Sequence, residues 1–79
     1  MRLDKFLKVS RVIKRRTVAN EACDAGRVTV NGKTARASYD VKCGDKVQIA
    51  FGERTVAFEV LDVNENAKKD EAPLMYRML

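Results

Sequence analysis

The chain has 79 residues, of which 46% are hydrophobic and 34% are charged, so it is long enough for one small folded domain. This apolar content excludes a disordered linker, and no apolar run approaches the roughly 20 residues that a membrane helix needs. The sequence contains no histidine, and its two cysteines do not have metal-ligand spacing. We therefore expect a cytoplasmic monomer with no membrane contact, no metal, no cofactor and no catalytic activity of its own.

The net charge of +5 is concentrated at the start of the chain. Residues 1–16 carry seven basic side chains and one acidic side chain, a net charge of +6, whereas the rest carry nine basic and ten acidic side chains, a net charge of −1. The basic residues of this opening segment are Arg2, Lys5, Lys8, Arg11, Lys14, Arg15 and Arg16. Segregated charge of this kind creates a local positive potential that attracts a polyanion.

The opening residues predict an amphipathic helix, since apolar and basic residues separate at about 100° per residue. Its apolar side consists of Leu3, Phe6, Leu7 and Ser10, and Lys5 and Lys8 lie on the other side. Asp4 is the one acid among these cations. It either orients a neighbouring arginine through a charge-assisted hydrogen bond or relieves repulsion between the cations.

A second helix is predicted to begin at Thr17 or in the preceding basic run and to end at Gly26, because glycine readily adopts the left-handed conformation that ends a helix. Its buried stripe is predicted to be Val18, Ala19, Ala22 and Cys23. A run of three cations, residues 14–16, lies at the start of this helix, where the helix dipole disfavours positive charge. A phosphate partner would resolve this conflict, so we assign the run to binding.

Alternating residues after Gly26 predict short antiparallel strands. Asn31-Gly32 is the preferred sequence of a two-residue hairpin turn, so strands near 27–31 and 33–36 are predicted to pair. A second hairpin is predicted around Gly52-Glu53, with inward residues that include Ile49, Phe51 and Phe58. The predicted fold is α+β, in which two N-terminal helices pack on a small antiparallel sheet of three to five strands.

The domain is predicted to span residues 1–62, and residues 63–79 are predicted to form a charged tail. Pro73 interrupts any helix through this tail, and an apolar group, Leu74, Met75, Met78 and Leu79, follows it. This group forms a short helix that docks on the domain or on a partner, or it is a frayed end.

Residues 2–50 resemble the RNA-binding domain named after small-subunit ribosomal protein S4. The matching positions are Arg2, Leu3, Asp4, Lys5, Arg16, Ala19, Gly26, Val28, Val30, Asn31, Gly32, Val41, Gly44 and Asp45. Arg15 departs from the pattern, since many members carry a serine there, and this puts the serine's helix-capping hydrogen bond in doubt. We predict that Arg2, Lys5, Arg15 and Arg16 bind phosphates and that Lys8, Arg11 and Lys14 widen the positive field around them. With Asp4, the candidate RNA-binding residues are therefore Arg2, Asp4, Lys5, Lys8, Arg11, Lys14, Arg15 and Arg16.

Within that family, the sequence looks most like the small RqcP proteins of bacterial ribosome-associated quality control. This implies a factor that binds obstructed large ribosomal subunits, contacts ribosomal RNA and peptidyl-tRNA, and supports the tailing of stalled nascent chains by an RqcH-like tailing factor. A small heat-shock relative that recycles large subunits is the nearest alternative. Few aromatic residues are free to stack on bases if Phe6, Phe51 and Phe58 are in the core, so structured RNA is favoured over single strands.

Two other functions remain open from the residues alone. The domain also occurs fused to RNA-modifying enzymes, so the chain could be an RNA-binding accessory to such an enzyme. The chain could also be a protein-interaction adaptor that docks through its C-terminal apolar residues.

Overall fold

Two helices and a five-stranded antiparallel sheet make up the computed structural model, which describes residues 1–79. The elements are α1 (Leu3–Val9), α2 (Arg16–Asp24), β1 (Val28–Val30), β2 (Lys33–Thr34), β3 (Lys46–Phe51), β4 (Arg54–Val60), a 3₁₀ helix (Ala72–Met75) and β5 (Tyr76–Met78). The strand order in the sheet is β2-β1-β3-β4-β5, and every neighbouring pair is antiparallel. The predicted fold class is therefore confirmed.

The core joins α1 to the centre of the sheet. Leu3, Phe6 and Leu7 of α1 are fully buried. The ring of Phe6 stacks on Phe58 of β4 at 6.2 Å between centroids, and Phe58 meets Tyr76 of β5 edge-on at 5.4 Å. Burial of each large apolar side chain contributes about 2 kcal/mol, so these contacts fix α1 on the sheet.

The β1–β2 hairpin turns at the predicted Asn31-Gly32 pair. Both residues have positive φ angles, 53° and 84°, as a type I′ turn requires. The paired strands are shorter than predicted, because regular pairing covers only Val28–Val30 and Lys33–Thr34.

Asp45 ties this hairpin to the loop before β3. Its carboxylate accepts hydrogen bonds from the Asn31 amide at 3.1 Å, the Tyr39 hydroxyl at 3.1 Å and the Lys42 backbone N–H at 3.0 Å. These bonds satisfy a carboxylate that is 9% exposed. The Gly-Asp step of the sequence is therefore structural in this chain.

Helix α2 buries a narrower stripe than its spacing predicted. Ala19, Ala22 and Cys23 are buried, whereas Val18 is 44% exposed, so its assignment to the core is wrong. The small side chains of Ala19, Ala22 and Cys23 let α2 lie close to α1. Arg15 caps the start of α2 without a side-chain hydrogen bond.

Phe51 at the end of β3 is 39% exposed, so its assignment to the core is also wrong. Ile49 of the same strand is buried, as predicted, and so is Val47. The sheet extends past the two short helices at this end. No helix therefore covers the side chain of Phe51, although it lies on the core-facing side of the sheet.

Residues 72–78 add a 3₁₀ helix and an edge strand to the domain. Met75 is 1% exposed, and β5 pairs with β4 through the register Phe58↔Met78 and Val60↔Tyr76. Leu74, by contrast, is 71% exposed. Of the apolar residues assigned to a docking segment, only Met75 packs into the core.

The two cysteines have different environments, and both are free thiols. Burial raises the pKa of the Cys23 thiol to about 11, and the nearby carboxylates of Asp4 and Asp24 act in the same direction, so it is a protonated packing group. The sequence predicts both cysteines to be small packing residues, and this is wrong for Cys43, which is exposed. No set of three Cys, Asp or Glu side chains is grouped as metal ligands would be, and no helix has the length and apolarity to span a membrane.

Candidate nucleic-acid interface

Asp4 is the centre of a hydrogen-bonded cluster between α1 and α2. Its carboxylate, whose side chain is 3% exposed, accepts hydrogen bonds from Nε of Arg2 at 3.1 Å and from the Lys5 backbone N–H at 2.8 Å. Its second oxygen accepts a bond from the Asn20 amide at 3.3 Å and lies 3.4 Å from Nε of Arg16. Of the two roles predicted for Asp4, the structure shows the orienting one.

This cluster holds two arginine side chains at the surface. The side chains of Arg2 and Arg16 are 50% and 47% exposed, so each guanidinium contacts Asp4 on one side and solvent on the other. A guanidinium has five N–H donors, and the contacts with Asp4 leave most of them free. Two guanidinium groups on one carboxylate keep a net positive charge and can donate to the same phosphate.

The backbone beside Arg2 is also fixed. Arg2 forms a β-bridge with Asp40, and the Leu3 N–H donates to the Tyr39 carbonyl at 2.8 Å. The start of α1 is therefore joined to the loop before β3, and Arg2 has little freedom to move away from Asp4.

Sequence reasoning missed Asn20, which completes this cluster. Arg16 and Asn20 are one helical turn apart on α2, so both face Asp4 across the contact between the helices. The i, i+4 spacing of two polar residues was visible in the sequence, but their common partner on another helix was not.

The side chains of the other predicted residues lie outside this cluster. Lys8, Lys14 and Arg15 are exposed and have no acidic group within ion-pair distance. Nζ of Lys5 lies 3.7 Å from Glu65, an exposed pair that contributes little to stability. These cations add positive field around Arg2 and Arg16 without fixed geometry.

Arg11 differs from the other cations in its backbone. It follows α1 with a φ of 64°, in the left-handed region that glycine and asparagine favour. Its side chain lines a groove with Phe51 and Met78, away from Asp4. The structure thus brings together Arg2, Asp4 and Arg16 and places Arg11 at a separate surface.

Arg36, which follows β2, extends the surface on the side of Arg2. The two arginines line one open depression of about 640 Å³, together with Asn20 and residues 34–38. Positive charge therefore extends from Arg2 toward the β1–β2 hairpin, and Asp24 is the one acidic residue that lines the depression.

The charge state of Asp4 predicts a pH dependence of stability. Burial alone would raise the pKa of Asp4, but the hydrogen bonds from Arg2, Asn20, the Lys5 N–H and Arg16 outweigh it and hold the pKa below 3.8. The ionised Asp4 therefore stabilises the folded state above pH 3.8, and this contribution is lost as the pH falls through its lower folded-state pKa.

We expect thermal unfolding between about pH 2 and pH 6 to show a steeper acid loss for the wild type than for Asp4→Asn. The substitution removes this one titration and leaves all other carboxylates in place. Parallel curves for the two proteins would contradict the assigned charge state.

Comparisons with known proteins match this arrangement to a family. The family model of the S4 domain matches residues 1–47, which include the whole Asp4 cluster. The RQC P-site tRNA stabilizing factor of Bacillus subtilis is 53% identical over 79 residues, which are 100% of this chain and 92% of the relative. The chain belongs to the S4 domain family and to this branch of it.

Heat-shock proteins with the same domain are more distant relatives. The trimeric Heat Shock Protein 15 of Vibrio cholerae matches the fold with a TM-score of 0.90 at 28% identity, over 100% of this chain and 81% of that chain. The Heat shock protein 15 homolog of Aeromonas salmonicida is 32% identical over 94% of this chain but only 54% of its own length. The resemblance predicted from the sequence is confirmed, and the Bacillus subtilis relative is both more similar in sequence and covered over more of its length than these two heat-shock proteins.

Proposed function

We propose that this chain is a non-enzymatic RNA-binding factor of ribosome-associated quality control in the cytoplasm. It binds obstructed large ribosomal subunits through ribosomal RNA and the tRNA of the trapped peptidyl-tRNA, and it supports the C-terminal tailing of the stalled nascent chain by an RqcH-like tailing factor. The observation that carries the proposal is the pair of surface arginines, Arg2 and Arg16, held on one buried carboxylate. The 53% identity over the full chain to a protein named for stabilising P-site tRNA supports the tRNA partner.

The physics of the site favours structured RNA. A-form RNA presents its phosphates and 2′-hydroxyls to proteins more readily than its base edges, so a shape-reading protein needs positioned cations. Arg2 and Arg16 meet this need because their geometry is set before binding. Lys8, Lys14 and Arg15 then strengthen the encounter with RNA through their unpaired charge.

The test is co-sedimentation with purified large subunits that carry peptidyl-tRNA, compared with vacant large subunits. We expect the wild type to bind the loaded particles more tightly, because tRNA adds phosphate contacts to those of ribosomal RNA. Arg2→Ala combined with Arg16→Ala is expected to weaken binding by at least about tenfold, and to make the salt dependence shallower by about one to two units of slope.

The matched control is Arg27→Ala combined with Arg77→Ala, which removes the same charge outside the opening segment. It should bind almost as well as the wild type. If the two double variants lose the same amount of affinity, binding depends only on net charge, and the proposed site is contradicted. Equal binding to loaded and vacant subunits would contradict the tRNA contact.

A heat-shock-type recycling function is the second candidate, favoured by the fold match with a TM-score of 0.90. The two functions differ in what happens after binding. A reconstituted tailing reaction with an RqcH-like factor, loaded subunits and charged tRNA distinguishes them. We expect longer tails in the presence of this chain, whereas release of the peptidyl-tRNA without tailing would support recycling.

A further inference from the structure

We propose that the uncovered end of the sheet is a second binding surface, for a protein segment with large apolar side chains flanked by acidic residues. The docking groove, as we name it, has a volume of about 660 Å³ and lies beyond the end of α1. Its apolar residues are Val12, Phe51, Val56, Tyr76 and Met78, and Arg11 and Arg54 complete its lining.

The groove continues the core-facing side of the sheet. Successive side chains of a strand alternate between faces, so Phe51 shares the face of the buried Ile49. Met78 pairs directly with the buried Phe58, so it lies on that same face. The two helices are only seven and nine residues long and leave this part of the face uncovered, with Phe51 39% and Met78 58% exposed.

The composition of the groove favours a protein partner. Aromatic residues, methionine and arginine are enriched in the centres of protein interfaces, whereas lysine and acidic residues are depleted there. The groove contains two aromatic residues, one methionine and two arginines, and no lysine or acidic residue. The Asp4 cluster and its neighbouring lysines have the opposite, strongly polar character, so the two surfaces fit different partners.

The charge of the groove specifies the flanking residues of the partner. Arg54 is the register partner of Phe51 at the β3–β4 turn, and neither Arg11 nor Arg54 has an acidic group within ion-pair distance. Two unpaired guanidinium groups beside an apolar floor are complementary to carboxylates that flank apolar side chains.

The backbone of Arg11 gives independent support. A non-glycine residue at a φ of 64° costs about 1 kcal/mol relative to glycine. The chain nevertheless has an arginine at this position, whose side chain lines the groove. A binding role for this side chain accounts for a residue that does not suit its backbone conformation.

The proposal is tested by selecting peptides that bind the groove from a random library. Random peptides of about 12 residues displayed on phage are selected against the full-length chain, and the best peptide is synthesised for titration. We expect enriched sequences to combine Leu, Ile or Phe with Asp or Glu. Binding is expected to be at least about tenfold weaker with Phe51→Glu or Met78→Glu, and unchanged with Leu74→Glu, which alters a more exposed apolar residue outside the groove.

A charge exchange tests the role of arginine. Arg54→Glu should weaken binding of the acidic peptide. It should strengthen binding of a second peptide in which the acidic residues are replaced by lysine. Met78→Glu should leave binding to loaded large subunits unchanged, which separates this surface from the proposed RNA interface.

Three results would overturn the proposal. The first is the absence of any peptide whose binding responds to the groove variants. The second is a uridine hexanucleotide whose binding is lost in Phe51→Glu and Met78→Glu, which would identify the occupant as RNA. The third is self-association of the wild type that Met78→Glu abolishes, which would identify it as a second copy.

Discussion

Asp4→Asn is expected to weaken RNA binding although it removes a negative charge from a basic surface. Removal of a carboxylate near a phosphate relieves repulsion of about 0.5–1 kcal/mol in water. The same change releases Arg2 and Arg16, and re-immobilising each long side chain on binding costs about 1 kcal/mol, together about 2 kcal/mol. The free-energy cost of ordering the two arginines is larger than the gain from removing the repulsion between Asp4 and the phosphate. We therefore expect the affinity for loaded large subunits to fall about fivefold to tenfold.

The substitution also removes charge-assisted hydrogen bonds between the two helices. An asparagine side chain at this position would keep the shape of the aspartate but not its charge, and we expect a loss of about 2 kcal/mol in the free energy of unfolding. The melting temperature should fall by about 10 °C. Affinity is therefore measured well below the melting temperatures of both proteins, with circular dichroism to establish that the variant is folded.

Glu65→Gln is the matched control, because Glu65 also pairs with a cation of α1 but lies at the surface. Its removal frees Lys5 without disordering an arginine, so binding should become slightly tighter. Tighter binding by Asp4→Asn as well would mean that net charge, and not the geometry of the arginines, determines affinity.

The local patterns of the sequence predicted most of the fold. The helical spacing of Leu3, Phe6 and Leu7 and the Asn31-Gly32 turn depend on contacts between near neighbours, and the structure confirms both. The assignment of Val18 and Phe51 to the core was wrong, because their exposure depends on how far the helices extend over the sheet. Periodicity identifies one face of an element and says nothing about where the element covering that face ends.

The candidate site was visible in the sequence as charge but not as geometry. The excess of cations predicted a binding surface, and the resemblance to the S4 domain included Asp4 among its residues. The cluster itself depends on Asn20 and Arg16, which are 16 and 12 positions from Asp4 in the sequence. Contacts over such separations require the packing of α1 on α2, which no local pattern specifies.

The C-terminal residues give the second large expected effect, because they complete the core of the domain. Met75 is 1% exposed, and the Leu61 and Asp62 N–H groups donate to its carbonyl at 2.8 and 3.2 Å. Met75→Ala is expected to lower the free energy of unfolding by about 3 kcal/mol, since a buried side chain is lost and a cavity remains. A domain of this size has a small margin of stability, so the melting temperature should fall by about 15 °C.

Leu74→Ala is the matched control, because its side chain is next in sequence but 71% exposed, and it should change stability by less than about 0.5 kcal/mol. Removal of residues 73–79 should be more severe than Met75→Ala, since it also removes β5 from β4 and the Tyr76 ring from Phe58. RNA binding would then be lost through unfolding, without any contact between these residues and RNA. Chemical denaturation shows whether residues 73–79 stabilise the domain or form a dispensable tail. If the truncated chain keeps the wild-type denaturation midpoint, the edge strand does not stabilise the domain.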